Sequence, residues 1–344
     1  MTEPTIDPEI ANWLIHTSPG GEPTSIPEAR EQSRTTNALA AAKMHPSLVP
    51  ATEVDAEVAG PTGPIPIRIL RPTGAADSAE PGVQTRPTVV YFHGGGWVIG
   101  DIDTHLGHAR RICTQADAVV VSVGYRLAPE ERFPAAFDDA VAATSWVFDH
   151  IAELGGDASL LILAGDSAGG QLAASVAIAR RDAGQPVAAQ LLLYPVIDVA
   201  GRYADDKVNS YYMSRRTTKV NFGLTLQGMA DFAVHYVDDE DSADWRVSPM
   251  RVKDLTGVAP AVIHTATLDV LRTEGNFYAH ALARAGVRVI SREWPTLNHS
   301  YFGLGGVSAV ADGAAAQAAE DLHELLRGGG STDAPPERPL PSYP

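Results

Sequence analysis

The chain has 344 residues, 44% of them hydrophobic and 20% charged, which excludes a disordered chain and allows one large domain. Its 42 acidic residues outnumber 26 basic ones for a formal net charge of −16, with no basic block anywhere. Nucleic acid and anionic membranes are therefore disfavoured as partners, because phosphate-rich surfaces bind Lys and Arg patches. The single cysteine, Cys113, excludes an internal disulfide and a multi-cysteine metal site. No apolar run reaches the roughly 18 residues of a membrane span. The acidic, proline-interrupted start MTEPTIDPEI is unlike a signal peptide, so a cytoplasmic location is expected.

In chain order, residues 1–50 predict two helices. One carries Ile6, Ile10, Trp13 and Leu14; the other opens on Ser25-Ile26-Pro27-Glu28, a capping-box spacing. A weak apolar run at 54–58 is followed by stronger β-branched runs at 64–70, 88–92, 118–123, 160–163, 189–193, 261–265 and 287–290. These predict eight strands, with a surface loop at 74–87 between the second and third. From the third strand onward, helix-like stretches separate the runs. The stretch 135–154 follows Phe133-Pro134, where proline suits a first turn, and places Phe137, Val141, Phe148 and Ile151 on one face. The stretch 168–183 ends before Gly184, a residue suited to the position just past a helix. Such alternation predicts a mostly parallel sheet with helices on both faces. Residues 199–247 break it with Tyr203, Tyr211, Tyr212, Met213, Phe222, Met229, Phe232 and Tyr236. Two readings stay open there: ordinary peripheral helices, or a lid whose aromatic underside covers a substrate pocket. The Gly- and Pro-rich residues 328–344 read as a disordered tail.

The most informative segment is Gly165-Asp-Ser167-Ala-Gly169, which lies between a predicted strand and a predicted helix. Gly-x-Ser-x-Gly in that setting is a nucleophile elbow. An abrupt strand-to-helix turn exposes the serine hydroxyl, and bulky neighbours would clash. A second segment, His93-Gly94-Gly95-Gly96-Trp97, follows an earlier strand. Phosphate binding is one reading, but neither Gly-Lys-Ser/Thr nor Gly-x-Gly-x-x-Gly is present. An oxyanion hole, completed by the N–H after the nucleophile, is the other.

A serine nucleophile needs a base and a group to orient it, and in this architecture both follow later strands in the order Ser, acid, His. Asp269 follows the strand at 261–265, and His299 follows the one at 287–290. Asp198 is the rival acid, since it also sits just past a strand. His264, His280 and His93 are weaker rivals for the base. His105 and His108 with Asp101 and Asp103 could form a metal cluster, but a loop entering a helix capped by Asp103 or Thr104 is the preferred reading. No metal and no cofactor are expected.

These segments resemble the hormone-sensitive-lipase-like family of α/β-hydrolases, in its bacterial esterase branch. His93-Gly-Gly-Gly-Trp-Val-Ile-Gly-Asp101, Tyr125-Arg-Leu-Ala-Pro-Glu130, Phe133-Pro-Ala-Ala136, Gly165-Asp-Ser-Ala-Gly-Gly170 and Leu193-Tyr-Pro195 match its hallmarks, from about His93 to Phe302. The resemblance implies an α/β-hydrolase fold. It implies Ser167 as nucleophile, Asp269 as acid, His299 as base, and Gly94, Gly95 and Ala168 as oxyanion donors. Residues 1–50 and 199–247 would form the family's cap over a catalytic domain of 51–198 and 248–327. Two segments depart from the pattern: Asp269-Val-Leu-Arg-Thr-Glu274 lacks the family's proline, and His299-Ser-Tyr-Phe302 lacks its glycine. The implied activity is cofactor-independent hydrolysis of neutral esters with short to medium acyl chains. An amidase or deacetylase of a sugar or natural product would use the same triad, and a silent receptor could share the fold. Family members are often dimers, so a homodimer is a further expectation.

Overall fold

Eight strands assemble into one sheet in the order β1-β2-β4-β3-β5-β6-β7-β8. They are β1 (Thr52–Ala59), β2 (Pro64–Arg71), β3 (Arg86–Phe92), β4 (Val119–Val123), β5 (Gly156–Asp166), β6 (Ala189–Leu193), β7 (Ala261–Leu268) and β8 (Val289–Asn298). The computed structural model describes residues 5–17, 23–74, 86–218 and 223–328. Phe222, most of the expected loop at 74–87 and all but the first residue of the expected tail lie outside these residues. β1 and β2 pair antiparallel with each other, and β2 antiparallel with β4. From β4 through β8 every pairing is parallel.

Among the described residues, ten α-helices surround the sheet. They are α1 (Pro8–Thr17), α2 (Ile26–Ala41), α3 (Leu106–Gln115), α4 (Ala135–Asp149), α5 (Ala168–Asp182), α6 (Asp206–Tyr211), α7 (Met213–Thr217), α8 (Leu226–Tyr236), α9 (Arg272–Arg284) and α10 (Ala309–Leu326). Alternation along the central strands feeds two cores. Val90 and Phe92 of β3 join α4, α5, α8 and α9 on one face, while Val89 and Tyr91 join α1, α3 and α10 on the other. Each fully buried Val, Leu or Ile side chain contributes roughly 1.5–3 kcal/mol. Strands buried on both faces therefore read as continuous apolar runs.

Several local expectations need correction. α4 ends at Asp149, and its buried face is Ala136, Phe137, Ala140, Ala143 and Val147, whereas Val141 and Phe148 are only half-buried. Small side chains let the helix lie close to the sheet. Pro134 stands just outside the helix as its N-cap. β8 runs eight residues past the expected Ile290, because an edge strand needs only one apolar face and tolerates Pro295. α3 is capped by neither Asp103 nor Thr104. Instead Asp101 and Thr104 exchange two backbone-to-side-chain hydrogen bonds of 2.7 Å one turn earlier. At α2, Ser25 accepts from the Glu28 N–H, while the Glu28 carboxylate reaches Thr24. Gly184 adopts φ 70° past α5, as its position predicts.

Residues 199–247 divide between the two readings. Tyr203, Tyr212 and Tyr236 are buried in packing, with Tyr236 stacked 4.3 Å from Trp97. Met213 is 58% exposed. Leu224, Met229 and Phe232 line a cavity above the sheet. Among the described residues no helix is long and apolar enough to cross a membrane.

Candidate active site

β5 delivers the chain to Ser167, and α5 begins one residue later. Between them Ser167 holds φ 54°, ψ −119°, a conformation costing about 1–3 kcal/mol for a residue with a side chain. Besides the first turn of α5, backbone hydrogen bonds to the end of β6 and the segment after it hold it there. The Ser167 N–H donates to Leu193 O at 2.9 Å, and its carbonyl accepts from Val196 at 3.1 Å. The flanking glycines are steric necessities: a Cβ at Gly165 would lie 2.2 Å from Gly169 O, and one at Gly169 2.0 Å from Phe92 O.

The structure brings three predicted residues into one line. His299 Nε2 lies 3.0 Å from Ser167 Oγ, and His299 Nδ1 lies 2.8 Å from Asp269 Oδ2. Asp269 is fully buried past β7, and its other oxygen accepts the Leu271 N–H at 2.9 Å. His299 follows β8, with the Tyr194 ring packed edge-on at 4.9 Å. The chain order Ser, Asp, His thus follows β5, β7 and β8.

The rivals are employed elsewhere. Asp198 accepts from Arg251 at 2.8 Å and from Tyr212 Oη at 2.7 Å. His264 Nε2 pairs with Asp321 at 2.8 Å beside Arg292. His93 stacks on Tyr125 and bonds the Gly94 carbonyl. His280 lies on α9.

The glycine loop requires one correction. The Gly94 N–H donates to Asp166 Oδ1 at 2.9 Å, so the expected oxyanion donor is already occupied. Asp166, buried beside the nucleophile and also bonded by Tyr91 Oη at 2.6 Å, draws that amide away from the cavity. Gly95 and Gly96 line the cavity instead, with φ 114° and 58°. Among the described residues, the N–H groups of Gly95, Gly96 and Ala168 have no protein acceptor. Gly96 was legible as part of the glycine run, but which amides face the serine depends on Asp166, 72 residues away.

His105 and His108 also border the cavity, and their ligand atoms lie within 4.8 Å of each other and of Asp166. Burial pushes both imidazoles down to about 3, so they are neutral at ordinary pH. Asp101 and Asp103, considered with them as a metal cluster, face Arg34 and Arg68. Asp166 Oδ1 already accepts from Tyr91 and Gly94, and His105, His108 and Asp166 together form a buried wall beside the glycine loop.

The cavity over Ser167 has a volume of about 460 Å³. Trp13, Leu14 and α2 form one side, and Leu224, Met229 and Phe232 another.

Comparison with known proteins agrees with this fold. A family model described as alpha/beta hydrolase fold matches residues 89–303. Esterase LipI of Mycobacterium tuberculosis is 40% identical over 288 residues, covering 83% of this chain and 85% of its own. Carboxylesterase NlhH of the same organism is 37% identical over 318 residues, covering 88% and 92%. Among solved structures, the hyperthermophilic esterase of the archaeon Pyrobaculum calidifontis superposes with a TM-score of 0.82 at 32% identity. That match covers 94% of this chain and 98% of its own. The strand order, the serine elbow and these relatives together place the chain in the α/β-hydrolase fold family, in its hormone-sensitive-lipase-like branch.

Proposed function

We propose that this carboxylesterase hydrolyses small neutral esters through an acyl-enzyme on Ser167, with His299 as base and Asp269 as the group that orients it. The continuous Ser167–His299–Asp269 hydrogen-bond line, opening on a cavity of about 460 Å³, carries the reading. Ser167 Oγ attacks the ester carbonyl as His299 Nε2 takes its proton, typically worth 10²–10⁴-fold in rate. Asp269 accepts from Nδ1–H, fixing the tautomer that leaves Nε2 basic, and stabilises the imidazolium. The N–H groups of Gly95, Gly96 and Ala168 stabilise the tetrahedral oxyanion, about 10²–10³-fold per donor in comparable enzymes. His299 then returns the proton to the leaving alkoxide. Water repeats the cycle on the acyl-enzyme and frees Ser167.

Residues 1–50 and 199–247 act as the cap, since both contribute walls to the cavity. α1 is also anchored below, with Ile10 buried in the core beneath the sheet. Around Ser167 the described lining contains no Lys, Arg or Glu, which suits neutral substrates. The volume lies in the range typical of small-ligand pockets. Across a p-nitrophenyl ester series, kcat/KM is expected to peak at about four to eight acyl carbons. It should fall at least about tenfold by fourteen, since each extra methylene must leave the cavity for water. A maximum above about twelve carbons overturns the short-to-medium assignment.

A further inference from the structure

α2 turns an unusual face inward. A helix covering a cavity normally presents apolar residues to it. Here the cavity side of α2 is Ala29, Gln32, Ser33, Thr36, Asn37 and Ala40, while Glu28, Glu31 and Arg34 point outward. Asn37 Nδ2 donates to Ser33. Among the described residues, the side chains of Gln32 and Thr36 have no protein partner. His108 borders the same cavity, is 4% exposed, and its Nε2 has no hydrogen-bond partner. Leu224, Met229 and Phe232 make the other wall apolar.

The geometry says which part of an ester meets which wall. The carbonyl oxygen must lie beside the Gly95 and Gly96 amides, and Phe232 abuts Gly96 closely enough that a Cβ there would sit 2.3 Å from its ring. The leaving oxygen must lie beside His299, which reprotonates it. α2 packs on the turn that follows His299, with Asn37 and Gly303 facing one another across a small void. The alcohol therefore departs along the polar wall.

We propose that Gln32, Ser33, Thr36 and Asn37 form an alcohol subsite that selects esters of uncharged polyhydroxylated alcohols, of the glycerol or sugar kind. Amide and hydroxyl groups can both donate to and accept from alcohol hydroxyls. Among the described residues the lining holds no Lys or Arg to pair with an anionic alcohol, and the Asp166 carboxylate is already engaged by Tyr91 and Gly94. An aliphatic alcohol would desolvate these groups without replacing their hydrogen bonds.

This inference rests on the serine-esterase reading of the site. The test compares 2,3-dihydroxypropyl butyrate with n-propyl butyrate, which share an acyl group and a carbon skeleton. Rates are divided by those of hydroxide-catalysed hydrolysis, to remove the greater intrinsic reactivity of the hydroxylated leaving group. The normalised kcat/KM is expected to favour the dihydroxypropyl ester by about tenfold or more, the effect of one or two net hydrogen bonds. In Gln32→Leu/Thr36→Val that ratio should collapse towards one. A ratio of one or below in the wild type, or an unchanged ratio in the double variant, overturns the subsite while leaving the esterase reading intact. Failure to hydrolyse either ester or p-nitrophenyl butyrate overturns both.

Discussion

Ser167→Ala is expected to lower kcat for p-nitrophenyl butyrate by about 10⁴-fold or more. In the proposed mechanism the hydroxyl oxygen forms the acyl-enzyme, and it lies 3.0 Å from His299 Nε2, which takes its proton. Residual turnover from the oxyanion donors and binding alone sets the floor, because triad members act as a unit and not additively. Stability should change in the opposite sense or hardly at all. Ser167 sits at φ 54°, and its replacement removes one Oγ without disturbing the backbone bonds to Leu193 and Val196. Circular dichroism and thermal melts on the same sample separate loss of chemistry from loss of fold. A variant that retains more than about one hundredth of wild-type kcat removes Ser167 from the role of nucleophile.

The second large effect distinguishes two buried aspartates. Asp269→Asn should cut kcat/KM by about 10³–10⁴-fold, because an amide nitrogen facing His299 Nδ1 favours the wrong tautomer. Asp198→Asn should stay within about tenfold of wild type per folded molecule. Its cost falls on stability instead. Asp198 is fully buried and gathers Arg251, Tyr212 Oη and the Ala200 N–H, and neutralising it weakens several charge-assisted bonds. The expected loss is about 3–5 kcal/mol, measured by urea titration. Equal activity losses in the two variants would mean that the Asp269–His299 contact does not drive catalysis.

The sheet was legible where strands are buried on both faces. β3, β4, β6 and β7 are short, mostly apolar runs, with buried polar exceptions such as Ser122, Gln190, His264 and Thr265. β8 was read too short because its second half alternates through Arg292, Glu293 and Pro295, as an edge strand allows. The elbow was legible because strand, Gly-x-Ser-x-Gly and helix are contiguous. Asp269 and Asp198 looked alike, since both follow strands; what separates them is Arg251 and Tyr212, which reach Asp198 through the fold. Gly94 was assigned to the oxyanion hole because the run of glycines does not reveal that Asp166 takes its amide. The polar face of α2 was visible as composition only. Nothing local shows that this face, and not its charged opposite, looks onto the serine.

Covalent labelling probes Ser167 Oγ as the atom that carries the acyl group. Diethyl p-nitrophenyl phosphate titrated against the enzyme, followed by peptide mass spectrometry, tests that role directly. Activity should vanish as one diethylphosphoryl group per chain accumulates on the peptide containing Ser167, and His299→Ala should block labelling at the same concentration. Full inactivation with the label on another residue, or full labelling of Ser167 with activity intact, contradicts the account.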